Sequence, residues 1–290
     1  MTNDQTKYPD FYEAADELDD LVRDGILGEE AIRNLERRDS LNMEEYLVHI
    51  FDHWMGDKDQ IGKDNVKDLI RQFIDFFVEA VQKQPQDTFD ILSEYWRGTQ
   101  DNPELEGMSG YTEAVRFHRE AINGIYQIQG QNNKSSDIKR VAGAYITAYS
   151  KWVEYVGQLL FPCIKIALLI NEKQINENQI FRMTLNNKID FFNSETDNKY
   201  FALNDLINRT IRNADSHLSI KYSYSKNSLE YKKRSQGKTR VFTVPIAEWI
   251  TETYPKPGWF VQAFIMSTIL AYLGTTNTEL FRVKYESLFS

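Results

Sequence analysis

Apolar residues along the first 130 positions recur at helical spacing, with polar breaks between the runs. Glu13 to Arg23 carries Ala14, Leu18, Leu21 and Val22 on one face, and Asp24-Gly25 closes the run. Glu29 to Arg38 reads as a second short helix, so that Leu18 to Leu35 resembles a small helical hairpin. Met43 to Met55 and Val66 to Val81 follow, the latter directing Leu69, Phe73, Phe76, Phe77 and Val81 at a core. Gln82 to Asp87 and Asn102 to Gly110 read as loops, and Thr112 to about Ile128 as a further helix.

Gln129 to Asp137 is polar and reads as a linker. Beyond it, Ser136 is expected to cap a long helix from about Asp137 to Ile170, bent near Pro162. Gln179 to Phe192 and Tyr200 to Ser216 make a second and a third helix. The period then drops to two. Ile220, Tyr222 and Tyr224 alternate with Lys221, Ser223 and Ser225, as in a strand. Turns at Lys226-Asn227-Ser228 and Gln236-Gly237 separate it from strands at Leu229 to Lys233 and Arg240 to Val244. Helical spacing returns from Ile246, with helices over Trp259 to Leu273 and Thr278 to Leu288. The expected fold is all-α: an acidic helical region over 1–130, then a helix bundle over 136–290 with a small β-meander inserted after its third helix.

Composition places the chain among ordinary globular proteins, at 41% hydrophobic and 27% charged residues. One cysteine, Cys163, excludes an internal disulfide and reads as a buried small hydrophobe suited to a reducing cytoplasm. The N-terminus has no basic-then-apolar signal pattern, and Leu159 to Ile170 is too short to span a bilayer, so a cytoplasmic protein with no membrane partner is expected.

The net charge of −9 is unevenly distributed. Asp16, Glu17, Asp19, Asp20, Asp24, Glu29 and Glu30 crowd the first part. Between 205 and 245 the sign reverses, with Arg209, Arg212, Lys221, Lys226, Lys232, Lys233, Arg234, Lys238 and Arg240 against Asp205, Asp215 and Glu230. A basic region inside an acidic chain is either a solvated face or the footprint of a polyanion.

Within that region, on the third expected helix, stands Arg212-Asn213-Ala214-Asp215-Ser216-His217. Asn213 lies one turn before His217, and Arg209 one turn before Asn213, so the three share a helix face. A histidine titrating near neutrality can take the proton of a ribose 2′-hydroxyl or give one to the leaving oxygen. An arginine offers forked, permanently charged donors to the phosphate. One histidine cannot easily act on both sides of one phosphate, and a twofold dimer would bring two copies to one cleft.

Ile211 to His217 resembles the signature of the HEPN superfamily: an arginine, a polar residue, and a histidine four to six positions beyond the arginine. The resemblance covers roughly residues 136–290. It implies that Arg212 and His217 are catalytic with Asn213 assisting, that the domain is a dimeric, metal-independent endoribonuclease without a cofactor, and that it serves as a toxin or anti-phage effector, with an antitoxin or defence protein as a possible partner. Arg209, Lys221, Lys232, Lys233, Arg234, Lys238 and Arg240 would then guide RNA, and the acidic region over 1–130 would position a regulator or partner, or shield the basic site. Where a regulated subgroup of the family carries a tyrosine two positions after the histidine, this chain has Ser219. The alternatives are a non-catalytic helical interaction module and an RNA-binding regulator without cleavage.

Three further signals are weaker. Gly237-Lys238-Thr239 lacks the first glycine of a P-loop, position 232 being lysine. His49 and His53 share a helix face beside Asp52 but have no third ligand in view. Tyr222, Tyr224 and Tyr231 could stack bases or pack the strands onto the bundle.

Overall fold

The computed structural model describes the chain apart from residues 1–2, 58–59, 100, 129–133, 206, 208–219, 236–237 and 290. Helices dominate it: α1 (Asn3–Lys7), α2 (Pro9–Arg23), α3 (Gly28–Arg37), α4 (Met43–Gly56), α5 (Lys63–Lys83), α6 (Pro85–Arg97), α7 (Met108–Ile128), α8 (Ser135–Ile170), α9 (Glu177–Arg182), α10 (Leu185–Glu195) and α11 (Phe201–Asp205). An antiparallel meander follows, β1 (Ile220–Ser223), β2 (Ser228–Ser235) and β3 (Lys238–Pro245), and then α12 (Lys256–Thr276) and α13 (Thr278–Ser287). The all-α architecture with a small β-insert is as the periodicity predicts.

Three local expectations are corrected, and a fourth falls largely outside the described residues. Gln82 to Asp87 is not a loop. Pro85 opens α6, because a proline at the first helical position gives up an N–H that has no partner there anyway. Ser136 does not cap α8. The helix starts at Ser135, and the Asp137 carboxylate accepts from the Lys134 N–H at 3.1 Å. Gln179 to Phe192 is two helices, since Thr184 leaves the helical conformation and its hydroxyl accepts from the Asn187 N–H at 3.3 Å, capping α10. Of the expected helix from Tyr200 to Ser216, α11 is described, and residues 208–219 lie outside the described residues.

The 36 residues of α8 make it about 54 Å long at 1.5 Å per residue, and it runs through Pro162 without interruption. It is the axis on which α5, α6, α7, α10 and α12 pack. Both α8 and the stretch Ile246–Thr276 are long and apolar enough by composition to cross a membrane, and 78% of the apolar window of α8 is buried in the core. Cys163 is buried there, its thiol pushed up by burial.

One core draws on both sides of the 129–133 segment. Phe73 of α5 is fully buried, with its ring 5.2 Å from Phe260 and 5.6 Å from Phe264, both of α12 and both edge-on. Phe76, three residues on in the same helix, meets Phe192 of α10 and Tyr200. The acidic helices α2 and α3 sit outside this core. α2 attaches to α7, where the Thr112 hydroxyl donates to the Ala14 carbonyl at 3.0 Å and Arg119 pairs with Asp24 at 2.6 Å, while α3 packs on α2 and α4.

Pro162 leaves the Gln158 carbonyl without its usual helical donor. One residue earlier, the Gly157 carbonyl accepts from the buried Lys188 ammonium of α10 at 2.8 Å. Glycine permits this approach, because a Cβ at Gly157 would stand 3.3 Å from Leu185 Cδ1. Burial pulls the Lys188 amine down to about 8.

Candidate functional site

The meander is built from alternation. Tyr222, Leu229, Tyr231 and Val244 face the bundle, with Leu229 fully buried and the other three packed partly buried on the core. Of the expected base-stacking tyrosines, Tyr222 and Tyr231 are therefore committed to packing, while Tyr224 is exposed. Tyr231 stacks on Phe242 across the strands at 5.5 Å. Asn227 turns β1 into β2 in the left-handed region, at φ 44°, a conformation its short amide side chain tolerates. Its carbonyl accepts from the Ile246 N–H at 3.1 Å, and its amide oxygen from the Tyr222 hydroxyl at 2.6 Å.

The register divides the basic residues into two groups. Lys221 lies directly opposite Glu230, and Lys226 reaches the same carboxylate. The ion pairs are 3.3 and 2.8 Å, and the two ammonium groups hold the Glu230 carboxyl below its usual value. Lys221 is therefore an ion-paired cation that shares one carboxylate with Lys226. Lys232, Lys238 and Arg240 are exposed near the β2–β3 turn, with no ion-pair partner among the described residues. Lys233 pairs in backbone register with Arg240, and Arg234 with Thr239, so their chain positions flank the same turn; their side chains lie outside what is described. The role of Glu230 is a feature the composition reading missed. It was not legible in the expected turn at 226–228, which would set residue 221 against 233; the chain instead turns over Tyr224 to Asn227, pairing Ser223 with Ser228 and so Lys221 with Glu230.

Arg209, Arg212, Asn213 and His217 lie outside the described residues. What is described is where the chain leaves and returns. Ile207 is buried in the core, and Ile220 opens β1, half-buried against the bundle and paired with Tyr231.

Elsewhere, an open groove of about 890 Å³ lies between α9 and α10, lined by Asn176, Gln179, Arg182, Asn187, Asp190 and Phe191. It is wide open to solvent, unlike the enclosed clefts that bury small ligands. Among the described residues no group of three histidine, cysteine or acidic side chains is disposed to hold a metal ion. Beside His49 and His53, Asp52 is engaged by the Lys284 ammonium at 2.6 and 2.7 Å.

No protein-family model matches the chain, and neither a curated protein nor a solved structure does.

Proposed function

We propose that the chain is a cytoplasmic, metal-independent endoribonuclease that works as a homodimer, with Arg212, Asn213 and His217 as its reactive group. The observation that carries this reading is the juxtaposition along the chain of the Arg212…His217 element with the basic turn that follows it. His217 stands three residues before Ile220, where β1 begins, and the same meander carries Lys232, Lys238 and Arg240 without counter-ions among the described residues. In the proposed reaction an imidazole removes the 2′-hydroxyl proton, the 2′-oxygen attacks the adjacent phosphorus, and the 5′-oxygen leaves with a proton. The products are a 2′,3′-cyclic phosphate and a 5′-hydroxyl. Arg212 would stabilise the charge that develops on the non-bridging oxygens, and Asn213 would orient the imidazole or contact the phosphate. Arg209, Lys233 and Arg234 would join the free cations of the turn in holding RNA, which makes binding salt-sensitive. A role in toxicity or anti-phage defence, with an antitoxin or defence protein as partner, rests on the resemblance of the motif alone.

The test is cleavage of single-stranded RNA by the purified full-length chain, in chelator, beside Arg212→Ala and His217→Ala. Loss of cleavage in both variants with the fold retained is the expected result. Equal cleavage by all three proteins, or cleavage by none, sinks the nuclease.

A further inference from the structure

β3 is an edge strand of eight residues, hydrogen-bonded on one side only, to β2. Among the described residues no other backbone hydrogen bond reaches Lys238–Pro245. Such an edge is a template for another extended chain. Its two faces differ in chemistry. Lys238, Arg240, Phe242 and Val244 alternate along the face shared with Tyr231 and Leu229, running from two cations at the turn to two apolar side chains at the bundle. Val244 is half-buried against the bundle, but Phe242 is 39% exposed and Val241 on the other face 60% exposed, so the apolar part of the edge is open at these two residues.

We infer that β3 docks an acidic, extended peptide segment of a partner protein by strand addition. In an antiparallel arrangement the partner's sequence, read from its N-terminus, sets two apolar residues at alternate positions opposite Val244 and Phe242. Two acidic residues at the next alternate positions then fall opposite Arg240 and Lys238. Pro245 has no N–H to donate, so the added ladder ends there. The unpaired backbone favours a peptide over RNA, which has no strand of amides and carbonyls to match it. A second copy of β3 is a poorer occupant, because it brings a second set of Lys238 and Arg240 to the same small sheet. The inference does not depend on RNA cleavage, although a segment docked here would cover two cations assigned above to RNA.

The probe is an acetylated octapeptide of alternating threonines, with two valines followed by two glutamates at the other positions. It is titrated into the full-length chain by fluorescence anisotropy and followed by amide hydrogen exchange at residues 238–244. Saturable binding with slowed exchange at those amides is expected. At least a tenfold loss of affinity, about 1.4 kcal/mol, is expected when alternate peptide amides are N-methylated. A similar loss is expected in Lys238→Glu/Arg240→Glu, with its fold checked by circular dichroism. Equal binding of the N-methylated peptide would reduce the contact to charge alone and overturn the proposal. So would no binding, protection of β3 by an oligouridylate of equal charge but not by the peptide, or protection of β3 that rises with the protein's own concentration.

Discussion

The Lys188 ammonium donates to the Gly157 carbonyl at 2.8 Å, in the interior, where α10 crosses α8 five residues before Pro162. No carboxylate shares this lysine in an ion pair among the described residues, so its charge is held by hydrogen bonding alone, and burial lowers its amine to about 8. Between that value and the unfolded value near 10.4 the unfolded chain binds the proton that the folded chain has released. Stability therefore rises with pH across this window, and the full cost of the buried charge is felt below it. In Lys188→Met the gain disappears. Urea unfolding from pH 7 to 10 should show wild type improving relative to the variant by about 2–3 kcal/mol, at 1.36 kcal/mol per pKa unit. A constant difference between the two proteins would mean that the amine is not buried in this way.

A second titration has the same sign at lower pH. His118 Nδ1 and the Tyr254 hydroxyl are 2.7 Å apart with their rings stacked, joining α7 to the segment that leaves the meander. Burial holds the imidazole below its usual value. As pH falls below about 6.5 the unfolded chain takes up a proton that the folded chain resists, so folding weakens with acidification. His118→Phe should lose this acid sensitivity. Thermal melts at pH 7 and pH 5 would then separate wild type by more than the variant, and equal separations would exclude His118 as the cause.

Phe73 sets the relation between the two halves of the chain. Truncating this fully buried ring, packed on Phe260 and Phe264, should cost about 3–5 kcal/mol, read as a lowered urea midpoint with an unchanged slope. For the same reason residues 131–290 expressed alone should give a poorly folded chain by near-ultraviolet circular dichroism. Deleting 1–130 removes α5 with the acidic helices, exposing Phe260 and Phe264, so it cannot test whether those helices shield the basic turn. Charge-neutralising changes at exposed Asp16, Glu17 and Asp20 of α2 test shielding without opening the core, and RNA cleavage that rises in such a variant would support it.

Arg212→Ala and His217→Ala should each lower RNA cleavage by about 10²–10⁴-fold, the range expected for removing a general acid–base or a charge-stabilising group. Urea midpoints close to wild type would separate loss of chemistry from loss of fold. Mixing the two inactive variants offers a test of the dimer. Recovery of part of the activity would mean that two chains contribute different groups to one cleft, and no recovery would favour each motif acting within its own chain.

Much of this protein was determined by the sequence alone. The helices with unbroken apolar stripes, α5, α7 and α12, follow from spacing at three and four residues, and the strands of the meander follow from alternation interrupted at Asn227. These are short-range patterns, carried by neighbours along the chain. Helix ends were less legible, because Pro85 and Thr184 act through single caps that one residue type can supply or withhold. The Arg212…His217 element is legible only as a motif. The tertiary structure decided what depends on residues far apart in the chain. It joins Phe73 to Phe264, buries Lys188 against Gly157, and leaves β3 at the edge of the sheet formed by the described residues. Among the cations of the meander it leaves Lys232, Lys238 and Arg240 without an ion pair among the described residues, while Lys221 and Lys226 share the carboxylate of Glu230. The physical reason is that burial and charge pairing are set by what packs alongside a side chain, and a linear pattern specifies only which side chains are available to pack.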